Sequence, residues 1–482
     1  MTTDDGADLP HRRQLLVLAI CCMSLLLVSI DNTIVNVALP QIQVELHATV
    51  SGLQWIIDAY TLVLASLLML AGSTADRLGR RRVFQTGLAV FTVASLLCSV
   101  APSLGWLVAF RVLQAIGGSM LNPVAMSIIT NVFTDPRDRA RAIGVWGGVV
   151  GISLALGPVL GGALVDSIGW RAIFWVNIPV GIAAGILAAL FVPESRSPHP
   201  RRIDPVGQLL VVAVLASLTY GIIEGPHRGW ASTEIVTLFA VAVLGVVALI
   251  RYESRRLEPL IDVRFFRSTP FSGAAAMAVC GFAGFSGFLF LNTIYLQDVR
   301  HYTALQAGLC TLPMAATSLA FAPLAGRLVG TRGARIPLAV AGIAMTTAAV
   351  MLSALSPTTP LALLLLSYLV FGIGFGMLNP PITTSAVAGM PRQQAGVAAA
   401  VASTSRQIGQ SLGVAVVGSV AGAGSVGLLG NGFAAASHPA WWIVAGCGVA
   451  VLILGLAVTG ARGNASAART ASSLQPVSTA AV

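Results

Sequence analysis

Long apolar runs, each closed by a short cluster of Arg, Asp, Pro, Gly or Ser, recur from Gln14 almost to the end of the chain. About 20 mostly apolar residues are needed to cross about 30 Å of hydrocarbon as a helix, and reading the runs against that length predicts fourteen spans. The first six are Gln14–Ala38, Ser51–Ala71, Val83–Val100, Trp106–Ile129, Ala142–Val165 and Ala172–Val192. A polar break follows, then Val206–Ile223 and Ile235–Ile250. The last six are Phe271–Tyr295, Ala304–Leu324, Ile336–Leu355, Leu361–Thr383, Val397–Val420 and Trp441–Val458. Runs of this length satisfy their own backbone in lipid by coiling into helices. The pattern therefore predicts an all-α integral membrane protein of fourteen transmembrane helices, arranged six plus two plus six.

The breaks divide the chain into an N-terminal segment 1–13, a six-helix bundle 14–192, two inserted helices with their linkers 193–269, a second six-helix bundle 270–461 and a tail 462–482. The tail is rich in Ala, Ser and Thr and reads as disordered. No small-residue cleavage pattern ends the first run, so it is read as a retained helix rather than a signal peptide.

Composition agrees: 56% of the 482 residues are hydrophobic and 10% are charged, against about 25% charged in a soluble domain. The net charge of +10 could suit nucleic acid, but its distribution points elsewhere. Every basic residue is arginine, and nearly all lie in alternate loops. Arg171, Arg228 and Arg300 alone fall in the loops on the other side. Positive-inside topology accounts for this and places both termini in the cytoplasm. The six cysteines sit in apolar runs without a C-x-x-C pair and read as packing residues. The histidines are scattered without ligand spacing, so neither a metal nor a membrane-surface enzyme is indicated. No G-x-x-x-x-G-K-[ST] loop occurs, which leaves an ion gradient as the energy source. No cofactor is expected.

An internal repeat supports two related halves. Gly117–Pro123 reads G-G-S-M-L-N-P and Gly374–Pro380 reads G-F-G-M-L-N-P. Gly72 with the basic loop Asp76–Arg82 matches Gly326 with Arg327–Arg335, and Gly157 matches Gly409. Facing repeats place a binding site between them near the bilayer midplane. Polar positions within the helices are its candidate lining: Asn36, Gln114, Asn122, Asn379 and Arg406.

Three further charges stand inside apolar runs. An ionised carboxylate at mid-span costs about 2.5–3.5 kcal/mol on insertion scales, so Asp31 is expected to face a cavity or a partner. The alternative is an aspartate that only pairs helices. Arg111 either enters the bundle or snorkels outward. Asp58, between Trp55 and Tyr60, is either an outer-vestibule carboxylate or an interfacial residue.

Five stretches together resemble the major facilitator superfamily, and within it the fourteen-helix drug:proton antiporter family of multidrug exporters. They are Asp31–Pro40 (D-N-T-I-V-N-V-A-L-P), Gly72–Arg82 (G-S-T-A-D-R-L-G-R-R-R), Arg111–Gly118 (R-V-L-Q-A-I-G-G), the set Gly151, Gly157, Pro158, Gly161 and Gly162, and Trp170–Gly181 (W-R-A-I-F-W-V-N-I-P-V-G). Ala115 departs from the pattern, standing where glycine is typical. The resemblance implies a cytoplasmic gate at Gly72, Asp76, Arg77, Gly79 and Arg80, and an exporter signature on the fifth helix. It also implies proton coupling through Asp31 and Arg111, with Asp58 as the rival carboxylate. The last stretch is assigned no transport chemistry, though Asn177 marks a local break. No acid lies within Ala304–Leu324, where some relatives that export divalent cations carry one, and this argues against dication selectivity.

The implied function is proton-coupled efflux of drugs or other amphipathic small molecules by a monomer in a bacterial cell membrane. The partners are substrate, protons and the bilayer. Export of an endogenous metabolite, antibiotic, siderophore or lipid shares every motif, and a proton-coupled importer shares the fold.

Overall fold

A computed structural model describes residues 10–197, 204–256, 262–388, 390, 395–423 and 431–474. Thirteen of its helices are long and apolar enough to cross a membrane. The N-terminal set is α1 His11–Leu46, α2 Val50–Leu78, α3 Arg80–Ser99, α4 Leu104–Val132, α5 Arg137–Ser167 and α6 Ala172–Phe191. The inserted pair is α7 Pro205–Arg228 and α8 Thr233–Glu253. The C-terminal set is α9 Thr269–Val299, α10 Ala304–Arg332, α11 Arg335–Leu352 and α12 Leu361–Val387, then α13 Ala395–Ala423 and α14 Gly432–Val458. With α13, which packs between α2 and α9, the set is fourteen.

Short polar residues start the helices where the sequence breaks. The Asp135 carboxylate accepts from the backbone N–H groups of Arg137 and Asp138, Ser232 caps Ile235, and Thr303 with Gln306 forms a reciprocal capping box. Each satisfies backbone donors that the first helical turn leaves free.

The two six-helix sets pack by one scheme. Within the first, α1 lies on α5, α2 on α4, and α3 on both α4 and α6. Within the second, α9 lies on α13, α10 on α12, and α11 on both α12 and α14. Adding eight to each helix number turns one scheme into the other, as the sequence repeat requires. The seams between the halves obey the same relation: α2 meets α13 and α5 meets α10.

The inserted pair is asymmetric. α7 bridges both halves, since Gln208 donates to the Ser66 carbonyl of α2 at 2.5 Å and Ser419 of α13 donates to the Ile222 carbonyl at 2.7 Å. α8 rests on α7 and turns Val241, Val243, Leu244, Val247 and Ile250 outward.

Two expectations change. The fourth helix is not continuous: Leu104–Ser119 and Asn122–Val132 are separated by a turn at Met120 and Leu121, just ahead of Pro123, which has no N–H to close a helical bond. The start of the tail is not disordered either. Ala461–Leu474 is a helix, and Ser466 ties it to α9 by accepting from the Thr269 N–H at 3.1 Å and donating to the Arg267 carbonyl at 3.0 Å. Alanine carries the highest helix propensity, and composition alone did not weigh it. Residues 475–482 lie outside the described residues.

Candidate functional site: a sealed charge pair beside an open cavity

α1 carries Asp31 at its middle, and the first segment of α4 carries Arg111 and Gln114, three residues apart and so on one helical face. The three meet inside the N-terminal bundle, where Asp31 is 0% exposed and Arg111 is 1% exposed. Arg111 Nη1 donates to Asp31 Oδ2 at 2.5 Å and to Gln114 Oε1 at 2.6 Å. Gln114 Nε2 in turn donates to Asp31 Oδ1 at 2.8 Å and to Ser95 Oγ of α3 at 2.8 Å. Asn177 of α6 also donates to Asp31 Oδ1, at 3.1 Å. Arg111 Nε uses the Ile56 carbonyl of α2 at 3.2 Å, and its Cζ lies 4.1 Å from the centre of the Tyr60 ring. Five helices thus contribute to one buried network. Breaking such a pair by removing one partner costs about 3–5 kcal/mol, because a charge is left buried alone.

Ser95, Tyr60 and Asn177 were not among the sequence candidates. Asn177 carried a signal, since α6 is interrupted between Ala172–Trp175 and Asn177–Phe191, and that interruption lets its side chain reach Asp31. Gln114 was expected on the cavity wall. The structure places it in the Asp31 network instead, because its face of α4 points with Arg111 into the bundle.

A cavity of about 1970 Å³ lies between the halves. Asn32, Asn36 and Asn122 line it from the N-terminal half, and Asn379 and Arg406 from the C-terminal half. Asp76, Arg256, Arg264 and Arg267 stand at its mouth, so it opens toward the arginine-rich end. The other end is closed along both seams. Gln54 of α2 donates to the Val414 and Ala415 carbonyls of α13 at 3.1 and 2.8 Å. Asp166 of α5 accepts from the Ala304 and Leu305 N–H groups of α10 at 3.0 and 2.9 Å, and Gln297 donates to the Val37 carbonyl at 2.9 Å.

Glycines of α5 make this closure possible. A Cβ at Gly162 would lie 2.4 Å from the Ala304 carbonyl oxygen, and one at Gly157 would lie 1.9 Å from Thr33 Oγ1. The Pro158 carbonyl lies against Gly308 of α10, while Gly161 faces Ile34 of α1 and Gly151 faces Leu319 of α10. The fifth-helix stretch therefore touches its own bundle on one side and the opposite half on the other.

Asp58 is not in an outer vestibule. It is 0% exposed, takes a long contact from Thr61 Oγ1 at 3.4 Å, and lies deep in the protein. Ser411 of α13 lies beside it. The closure of α2 on α13 covers it, which the sequence of α2 alone could not show.

At the arginine-rich end, Asp76 accepts from Arg80 Nη2 at 3.0 Å within its own loop. Gly79 holds φ at +115°, a conformation that disfavours any side chain, and a Cβ there would strike the Glu194 carboxylate at 2.6 Å. Glu194 accepts from the Arg81 N–H at 3.2 Å and faces Arg82 at 3.6 Å. The loop is therefore fastened to the chain leaving α6. Gly72 lines the cavity, and Arg77 is exposed.

The sequence profile of the Major Facilitator Superfamily matches residues 21–414. The multidrug resistance protein Stp of Mycobacterium tuberculosis is 37% identical over 410 residues, which are 85% of this chain and 76% of that one. The tetracenomycin C resistance and export protein of Streptomyces glaucescens is 35% identical, covering 82% of this chain and 74% of its own. The multidrug efflux pump LfrA of Mycolicibacterium smegmatis is 34% identical, covering 85% and 81%. Among solved structures, a bacterial homologue of the human lysosomal transporter Spinster, inward-facing and occupied, superposes with a TM-score of 0.63 at 19% identity, covering 96% of this chain and 98% of that one. A POT family transporter does so with a TM-score of 0.69 at 14% identity, covering 92% and 96%. These two show the fold, and the profile, the relatives and the repeated packing scheme agree that the chain belongs to the Major Facilitator Superfamily.

Proposed function

We propose that the chain is a proton-coupled exporter of drugs or other amphipathic small molecules, antibiotics among them. It takes substrate from the cytoplasmic side of a bacterial cell membrane and releases it outside as protons enter. The observation that carries the reading is the Asp31–Arg111 pair, buried one residue behind a cavity wall that includes Asn32. The names of the relatives, which are resistance, export and efflux proteins, supply the direction.

Coupling follows from the donor inventory. Asp31 accepts three N–H bonds, from Arg111, Gln114 and Asn177, and offers none. A proton there removes the charge that holds these three partners and adds an O–H donor that needs an acceptor, so the partners swing to new positions. Because they sit on α4 and α6, that swing alters how α1 packs on both. Bistable packing converts such a local change into movement of one half against the other. Asp58 becomes reachable when α2 and α13 part, and it is the rival proton site.

The test is substrate-induced proton release in reconstituted liposomes. Wild type should release protons, and Asp31→Asn should not, while its equilibrium binding of substrate persists. Release that survives Asp31→Asn and disappears in Asp58→Asn transfers the role to α2. The chain acts as a monomer, without nucleic acid, and both termini face the cytoplasm by the arginine distribution. Reporter fusions after Arg202 and Arg264 should report cytoplasm, and an external signal at either would reverse that orientation.

A further inference from the structure

The middle of the cavity carries one uncompensated charge among the described residues, and it is positive. Arg406 of α13 donates from Nη1 to Asn379 Oδ1 at 3.0 Å and to Thr383 Oγ1 at 3.3 Å, and from Nη2 to Ser403 Oγ at 2.6 Å. All three partners are neutral, and no described carboxylate lies within ion-pair distance of it. A guanidinium has five N–H groups in a planar fork, so donors remain for a ligand. The cavity's acidic residues, Asp76, Glu253 and Asp262, stand at its mouth among arginines, with Asp76 held by Arg80 and Asp262 by Arg264. Asp31 is sealed behind the opposite wall and already paired.

An aromatic surface adjoins this cation. Phe285 and Phe375 stack with centroids 4.2 Å apart, and Phe282 meets Phe375 edge-on at 5.3 Å. The Phe282 ring centre is 6.0 Å from Arg406 Cζ, and all three rings line the cavity. Gln410, one helical turn beyond Arg406 and also on the wall, leaves its amide oxygen without a partner. An unpaired cation in a low-dielectric wall gains most from a ligand of opposite charge, and flat rings gain from a second ring laid against them.

We infer that the preferred substrates are aromatic anions, with Arg406 holding the carboxylate, sulfonate or phenolate and the three phenylalanines holding the ring. The inference rests on the export reading for the direction of movement and not for binding. In this conformation a cation meets no described carboxylate at the middle of the cavity.

The test is equilibrium binding to the purified chain in lipid nanodiscs without a proton gradient, using three probes of one shape. Naphthoate is the anion, naphthamide the neutral analogue and naphthylmethylammonium the cation. Wild type should rank them in that order. Arg406→Gln should weaken naphthoate by about tenfold to a hundredfold, the worth of a charged hydrogen bond, and leave naphthamide unchanged. Arg406→Lys should fall between, since it keeps the charge and loses the fork. Equal weakening for all three probes would make Arg406 a clamp between α12 and α13 and overturn the inference, as would a wild type that binds the cation best. Because no gradient is present, a chain that binds as expected and fails to release protons would refute the export reading while leaving this one intact.

Discussion

The two halves share one packing scheme, and each carries one arginine in the apolar body of a span, away from the basic helix ends, yet they treat it in opposite ways. Arg111 in the N-terminal half is matched by a carboxylate, served by four neighbouring helices and closed off from the cavity. Arg406 in the C-terminal half is matched by neutral groups and stands on the cavity wall. The repeated asparagine shows the same divergence: Asn379 is spent on Arg406, while Asn122 leaves its amide oxygen unpartnered. Duplication thus preserved the scaffold and left the polar positions free to specialise. One half holds a balanced pair sealed inside its bundle, and the other presents a charge to the cavity.

The contrast is most exposed to attack at the arginines. Arg111→Ala should cost about 3–5 kcal/mol and abolish transport, because Asp31 is left charged and buried. Arg406→Gln should cost less than about 1.5 kcal/mol, since it strands no carboxylate. Thermal melts of the two purified variants decide it, and equal losses would erase the difference between the halves.

The two seams give a second, smaller contrast. At the α5–α10 seam a Cβ on Gly162 meets backbone, whereas at the related α2–α13 seam a Cβ on Gly418 meets the Gln54 side chain at 2.5 Å. Gly162→Val should therefore destabilise the closed outer end by about 1–3 kcal/mol. Gly418→Ala should cost about 1 kcal/mol or less, because a side chain can give way. Labelling of a cysteine introduced at the outer end would report the shift, and similar labelling in both variants would show that the seams are equivalent.

The smallest effect on stability is expected at the Asp76 loop. Asp76→Asn keeps a neutral acceptor for Arg80 and weakens a half-buried i,i+4 pair, at a cost of less than about 1 kcal/mol, so melting should move little. Transport should nevertheless fall if this loop stabilises the outward-open state. An unchanged transport rate would reduce the loop to a topology signal.

What the sequence disclosed follows from what each feature costs in lipid. Helices and halves were legible because twenty apolar residues have few other uses, and the charges at Asp31 and Arg111 were legible because a lone charge in a span is expensive. Ser95 was not, since a neutral polar residue in a span is cheap and common, and Asn177 signalled a break in α6 without naming Asp31 as its partner. Gln114 was misplaced because spacing shows that it shares a face with Arg111 but not which way that face turns. Asp58 was misplaced because its cover comes from α13, some 350 residues further along the chain. The break in α4 had no separate signal: the same M-L-N-P run continues as helix in α12.

The bridge made by α7 also decides how a lipid-soluble compound can arrive. By lying across α2 and α13 it covers that seam from the bilayer, with α8 as a second layer outside it. Among the described residues the opposite seam has no such cover. There Gly144, Gly147 and Gly148 of α5 are exposed, meet nothing within 4 Å of a would-be Cβ, and line the cavity together with Leu319 and Pro323 of α10. Toward the lipid at the arginine-rich end, the protein thus presents a double layer of helix at the α2–α13 seam and bare glycines that reach the cavity at the α5–α10 seam, so the inserted pair makes its two flanks unequal.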